Sequence, residues 1–91
     1  MLAKVKKALR INTDVFDSEL ADLIIAAIRD LTIAGVIVPY EPDEIITRAI
    51  ITFCKMSFGI PEDYDRLKAS YDEQKAQLIT ANDYTDFTPR R

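Results

Sequence analysis

Residues 17–35, with the sequence DSELADLIIAAIRDLTIAG, contain the clearest structural pattern in this chain of 91 residues. Its apolar residues recur at spacings of three and four, which is typical of a helix that packs one face on a core. These residues are Leu20, Leu23, Ile24, Ala27, Ile28, Leu31 and Ala34. Asp17 or Ser18 can cap the start, and Gly35 suits the left-handed conformation that follows a helix end. The stretch predicts a long amphipathic helix.

Two further helices are predicted downstream by start and stop signals. Pro42, followed by two acids, suits a helix start, and Gly59 suits an end, so a third helix is expected over residues 43–58. This segment is apolar on nearly every side, as expected for a helix at the centre of a bundle or between the bundle and a neighbouring subunit. Pro61 repeats the start signal for a fourth helix that runs to about residue 80. Its seam has coiled-coil spacing and consists of Tyr64, Leu67, Tyr71, Gln74 and Leu78.

The two ends complete the expected architecture. Leu2, Val5 and Leu9 predict a helix over residues 1–10, which is too short to be stable unless it docks on the body or on a partner. Residues 36–38, VIV, precede a proline and lack a second strand to pair with, so they are expected to form an apolar connection. We predict an all-α domain of about four helices over residues 1–80 and an extended C-terminal tail over residues 81–91.

Composition argues against catalysis. The chain contains no histidine, one cysteine and two glycines, so the usual proton shuttle and a glycine-rich phosphate loop are both missing. Cys54 lies within an apolar face, which favours a buried thiol over a nucleophile. Clustered acids such as Asp83 and Asp86 lack the ligand order of a calcium loop. We therefore expect no enzymatic activity, no cofactor and no metal, and, without a long apolar segment or signal peptide, an intracellular protein that does not enter membranes.

Charge is distributed unevenly along the chain. The first ten residues contain four cations and no acid, residues 11–89 hold fifteen acids against six basic residues, and two arginines end the chain. An acidic body with basic ends does not resemble the coherent basic face of a nucleic-acid binder. The N-terminal cations either contact DNA phosphates or form the solvated side of a docked helix. They are Lys4, Lys6, Lys7 and Arg10.

Apolar residues opposite the core stripes suggest contact between subunits. Ile25 and Ile33 lie opposite the core stripe of the second helix, and Ile51 and Phe58 lie on the rear of the third. Scattered exposed isoleucines also occur in monomers. The coincidence on two successive helices nevertheless favours a subunit interface.

The C-terminal tail carries aromatic and basic residues. Tyr84 and Phe87 are unusual in a solvated tail, and Arg90 and Arg91 can meet acids on a neighbour. Folding of the tail back onto its own bundle is the alternative. Together with the four N-terminal cations, these are the candidate residues for docking on partners.

The order of these features resembles that of phage head-tail connector proteins, which are also described as phage DNA-packaging proteins. The resemblance covers most of the chain. It is carried at the start by Val5-Lys6, Leu9-Arg10-Ile11, Asp17-Ser18-Glu19-Leu20, Ile24, Ala26-Ala27 and Asp30-Leu31. It continues in Ile46-Thr47-Arg48-Ala49-Ile50, Phe53-Cys54-Lys55, Tyr64, Tyr71, Lys75, Leu78 and Asp83-Tyr84.

The resemblance implies a structural role without enzymatic activity. A helical subunit would form a homo-oligomeric ring beneath the capsid portal, join it to the next connector or stopper protein, and let DNA pass through the hole. It implies assembly in the host cytoplasm and a final location in the virion. The alternative is a small helix-turn-helix regulator, but the third helix offers only Arg48 and Lys55 as basic residues for DNA.

Overall fold

The computed structural model describes residues 1–85, except for the side chain of Asn82. Five helices form this part of the chain: α1 (Leu2–Leu9), α2 (Asp17–Ile33), α3 (Glu44–Ser57), α4 (Tyr64–Thr80) and α5 (Asn82–Thr85). Within these 85 residues there is no strand. The prediction of an all-α fold is confirmed, and α1 to α4 lie close to their predicted positions.

Helix α3 is the centre of the bundle and packs against α1, α2 and α4. The ring of Phe16, which precedes α2, meets the ring of Phe58, which follows α3, at a centroid distance of 5.2 Å. The end of α5 meets the start of α3, because the Tyr84 hydroxyl donates to Asp43. Both α2 and α4 therefore run antiparallel to α3. Because three helices pack against α3, it needs apolar residues on several sides.

One core joins all four long helices. Val5 of α1 is fully buried, and Leu2 and Leu9 pack beside it, so α1 docks on the body of its own chain. Burying each large aliphatic side chain contributes about 1.5–3 kcal/mol, which offsets the poor stability of so short a helix. The core consists of Val5, Leu20, Ile24, Ala27, Leu31, Val36, Ile46, Ala49, Ile50, Cys54, Tyr71 and Leu78.

The helix ends follow the sequence signals at α3 and depart from them at α2. Asp43 caps α3, since its Oδ1 accepts a hydrogen bond from the backbone N–H of Ile46 at 3.0 Å. The expectation that Asp17 or Ser18 caps α2 is wrong, because the cap residue is Phe16 and no side chain bonds there. Asp17 instead pairs with Lys6 of α1 at 2.8 Å.

The segments after α2 and α4 meet at one end of the bundle. Gly35 has a positive φ of 104°, as expected for a residue that ends a helix, and Val36 is then fully buried. Residues 36–38 form no strand and pack on the core with Val36 and Val38, as predicted. The sequence does not predict α5, a single turn whose Tyr84 carbonyl accepts a hydrogen bond from the Ile37 N–H at 2.6 Å.

Candidate assembly surfaces

The most exposed apolar side chains of α2 lie on the side that faces away from the core. The exposed fraction is 58% for Ile25 and 78% for Ile33. A shallow groove of about 540 Å³ lies there and is lined by Ile25, Ile28, Arg29, Thr32 and Ile33. We call this surface the α2 outer face and define it by Asp22, Ile25, Arg29, Thr32 and Ile33.

Polar groups on the α2 outer face leave its centre apolar. The Thr32 hydroxyl donates to the Ile28 carbonyl at 2.8 Å, so its one hydrogen-bond donor is used within the helix. Asp22 and Arg29 are exposed, and neither forms an ion pair with any residue in the range 1–85. The face therefore combines exposed isoleucines with two opposite charges that are available to a partner.

The other two residues predicted at a subunit interface lie elsewhere. Ile51 and Phe58 are half-buried and pack against the core of their own chain. The cause is the central position of α3, whose rear is covered by neighbouring helices. Phe58 also lines a groove between the end of α1 and the start of α4, and contact of either residue with another subunit stays a prediction.

The basic residues of α1 divide into two groups. Lys6 is only 18% exposed, and its Nζ lies 2.8 Å from Asp14 and 2.8 Å from Asp17. Hydrogen bonds to these two carboxylates raise the pKa of Lys6 above its usual value. Lys6 therefore ties α1 to the start of α2, whereas the remaining N-terminal cations are exposed: Lys4, Lys7 and Arg10.

The described part of the C-terminal segment folds back on its own bundle. The Tyr84 hydroxyl donates to Asp43, and this hydrogen bond, followed by the one from the Ile46 N–H, lowers the pKa of Asp43. Tyr84 is half-buried against the core. The other candidate docking residues of this tail, Phe87, Arg90 and Arg91, lie outside the described residues.

A polar cluster that the sequence does not predict joins α2 to α4. The Tyr71 hydroxyl donates to Asp30 Oδ2 at 2.5 Å, and Lys75 Nζ lies 3.2 Å from the same oxygen. The Lys75 ammonium also lies 5.2 Å from the centre of the Tyr71 ring, a cation–π contact. No local sequence signal reports this cluster, because Asp30 is more than forty residues from its two partners.

The Asp30 cluster is an electrostatic link between helices. Burial opposes the charge on Asp30, but the hydrogen bonds from Tyr71 and Lys75 outweigh that cost and hold the pKa of Asp30 below its usual value. Burial and the adjacent carboxylate raise the pKa of Tyr71. The cluster therefore holds an ionised Asp30 carboxylate against a neutral Tyr71 phenol at neutral pH, and it fixes α4 against α2.

The described residues offer little for metal or covalent chemistry. Within residues 1–85, no group of three or more acidic, histidine or cysteine side chains is arranged to hold a metal ion. Cys54 is buried in α3, and burial raises its pKa to about 11, so the thiol stays protonated and unreactive. In the same range, no helix has both the length and the apolar character needed to span a bilayer.

Helix α3 is poorly placed to act as a recognition helix. Such a helix must present an exposed face to the major groove of DNA. Arg48 and Lys55 of α3 are exposed, but most of its other side chains pack on α1, α2 and α4. The geometry does not favour the helix-turn-helix alternative.

The chain was compared with known protein families, curated proteins and solved structures. The model of the family described as phage connector protein matches residues 1–85, a range that includes α1 to α5. The comparisons with curated proteins and with solved structures gave no match. The family match confirms the resemblance to phage connector proteins, whereas a part in DNA packaging stays a prediction.

Proposed function

Because the chain belongs to the phage connector protein family, we propose that it is a subunit of a homo-oligomeric ring between the capsid portal and the next connector or stopper protein. Family membership itself implies a structural role in head–tail connection and a location in the virion. The ring, its two neighbours and the passage of DNA through it are our proposal. Assembly of this ring in the host cytoplasm is part of it.

The observation that carries the proposal is the α2 outer face. Ile25 and Ile33 lie on α2 and are exposed to solvent, whereas other isoleucines of the chain are completely buried in the core. Transfer of exposed apolar area out of water stabilises an association by about 25 cal/mol per Å². A ring needs two different contact patches per subunit, and we propose the α2 outer face as one of them.

Partner contacts are proposed at the two ends of the chain. Lys4 and Lys7 of α1 and Arg10, which follows α1, are exposed and can meet acidic surfaces of the portal or stopper protein. Lys6 contributes less to such a contact, because its charge is already paired with Asp14 and Asp17. At the other end, the tail with Phe87, Arg90 and Arg91 is proposed to dock on a neighbouring component.

DNA is proposed to pass the ring without sequence-specific binding. The chain has fifteen acids against twelve basic residues, and an excess of negative charge keeps phosphates from being held tightly. Duplex binding measured across a salt series checks this point. Binding that weakens steeply with salt, and that disappears when Lys4, Lys7 and Arg10 are changed to glutamine, would contradict it.

The function is tested by complementing a phage that lacks a working copy of this gene. Without the protein, electron microscopy should show heads and tails that are not joined, and the wild-type gene should restore joined particles. A variant with Ile25→Ser and Ile33→Ser should fail to restore them, since it removes the apolar part of the α2 outer face. Joined particles in the absence of the protein would overturn the proposed function.

A matched control separates the α2 outer face from exposed apolar residues in general. Ile60 is 98% exposed and lies in the turn between α3 and α4. Ile60→Ser should support joining as the wild type does. The circular dichroism of all variants should be unchanged, because none of the three isoleucines belongs to the core.

A further inference from the structure

The two charged residues of the α2 outer face, Asp22 and Arg29, flank a pair of exposed apolar residues, Ile25 and Ala26. Asp22 lies three residues before Ile25, and Arg29 lies three residues after Ala26. All four side chains are exposed. Since an α-helix rises 1.5 Å per residue, the acid and the base lie at equal distances, about 5 Å along the axis, from the midpoint between Ile25 and Ala26.

This arrangement is complementary to itself when two copies of α2 pack antiparallel. A two-fold axis through the midpoint brings Asp22 of one copy level with Arg29 of the second copy, and the same pair forms again on the other side of the axis. At the centre, Ile25 comes level with Ala26 of the second copy, so a large side chain meets a small one. The pairing joins opposite charges twice around an apolar centre.

A parallel arrangement of the same two helices in register lacks this match. In a parallel arrangement in register, each Asp22 would meet another Asp22 and each Arg29 another Arg29, which places like charges together. Thr32 does not interfere with the antiparallel contact, since its hydroxyl donates to the Ile28 carbonyl. Ile33 comes level with Ser18 of the second copy and covers the end of the contact.

We propose that free subunits pair through the α2 outer face around this two-fold axis, with a second copy of the chain as the occupant. The pairing goes beyond the proposed ring, because a two-fold contact uses the same patch on both copies, whereas a ring joins two different patches. The pair shields Ile25 and Ile33 before assembly and must separate before the face can contact another surface. The exposed apolar area is small, so the pair is weak and depends on concentration.

Sedimentation velocity of the purified chain at low ionic strength tests the pairing. The weight-average sedimentation coefficient of the wild type should rise from monomer towards dimer between about 10 μM and 1 mM. Asp22→Arg and Arg29→Asp should each weaken self-association at least about tenfold, because every opposite-charge contact becomes a like-charge contact. Glu73→Arg, a charge reversal on exposed α4 surface, should leave self-association as in the wild type.

Mixing the two charge variants tests whether Asp22 of one copy faces Arg29 of the other. Asp22→Arg presents two cations and Arg29→Asp presents two acids, so an equimolar mixture should form heterodimers although neither variant pairs alone. The double variant Asp22→Arg with Arg29→Asp should also pair, because its pattern is again complementary to itself. Restored pairing in both samples supports the proposal.

Three results would overturn it. The first is that the wild type stays monomeric at about 1 mM. The second is that the single charge variants associate like the wild type. The third is that mixing the two charge variants does not increase their association. These measurements use the isolated chain, so they stand apart from the phage complementation that tests the proposed function. A functional connector subunit that never pairs in solution would contradict the pairing and leave the ring proposal intact.

Discussion

Two adjacent isoleucines of α2 illustrate the contrast between its two faces. Ile24 is 8% exposed and packs in the core, whereas Ile25 is 58% exposed and lies on the α2 outer face. The residue type is the same, so the difference arises from the 100° rotation between successive residues of a helix. The inner face, formed by Leu20, Ile24, Ala27 and Leu31, stabilises the fold. The outer face is available for association.

The largest expected effect is on the inner face. Leu31→Ala should lower the free energy of unfolding by about 3 kcal/mol, because it removes a fully buried side chain and leaves a cavity. Ile33→Ala, two residues away and 78% exposed, should lower it by less than about 0.5 kcal/mol. Guanidinium denaturation of both variants measures the contrast. Equal losses would remove the distinction between the faces.

The next effect concerns the link between α2 and α4. Tyr71→Phe should lower the free energy of unfolding by about 1–2 kcal/mol, because the ring still packs in the core but the hydrogen bond to the Asp30 carboxylate is lost. Tyr64→Phe is the matched control on the same helix, where the side chain is partly exposed, and should change little. A Tyr71→Phe variant as stable as the wild type would show that the hydroxyl contributes nothing to the fold.

A smaller effect should depend on pH. The folded-state pKa of Asp30 is lowered, so its carboxylate stabilises the fold above the pKa of the unfolded chain, and this contribution is lost as pH falls through the lower folded-state pKa. Asp30→Asn should therefore lower the free energy of unfolding by less than about 1 kcal/mol at pH 7, since the carboxylate is partly exposed to solvent. Urea denaturation from neutral to acidic pH should show the difference from the wild type shrinking.

A control on the outer face checks that this pH dependence belongs to the cluster. Asp22→Asn removes an exposed carboxylate that has no ion-pair partner among residues 1–85. Its free energy of unfolding should follow that of the wild type across the same pH range. If the free energy of unfolding of Asp30→Asn differs from that of the wild type by the same amount at every pH, ionisation of Asp30 does not stabilise the cluster.

The smallest stability effect is expected at α1. Lys6→Gln should lower the melting temperature slightly at low salt and by less at high salt, because it removes two ion pairs at the protein surface. Lys7→Gln should leave the melting temperature unchanged, since Lys7 is exposed and forms no ion pair within residues 1–85. The reverse result would assign the structural role to Lys7.

The sequence predicts the features that depend on neighbouring residues. Helical spacing gives the core stripe of α2, and Pro42 with Asp43 gives the start of α3, because both signals act within one or two turns. The exposure of Ile25 and Ile33 follows from the same spacing. These parts of the fold and of the candidate surface are local consequences of the chain.

Features that depend on tertiary packing were not predictable in this way. Contact between Asp30 and Tyr71 requires α2 and α4 to run side by side, which neither helix specifies alone. The packing of Ile51 and Phe58 against the core is also tertiary, because the spacing of α3 does not say which helices surround it. The turn of α5 is stabilised by contacts with Ile37 and Asp43, which lie far away in the sequence.

Labelling can measure directly whether the α2 outer face is covered in the assembled connector. A cysteine introduced by Ile33→Cys should react quickly with a maleimide in the free subunit at low concentration, while buried Cys54 gives little background. In intact virions this cysteine should be protected, and denaturation should make it reactive, above the labelling of Cys54 in wild-type virions denatured in the same way. Equal labelling rates in the free subunit and in the virion would contradict this prediction.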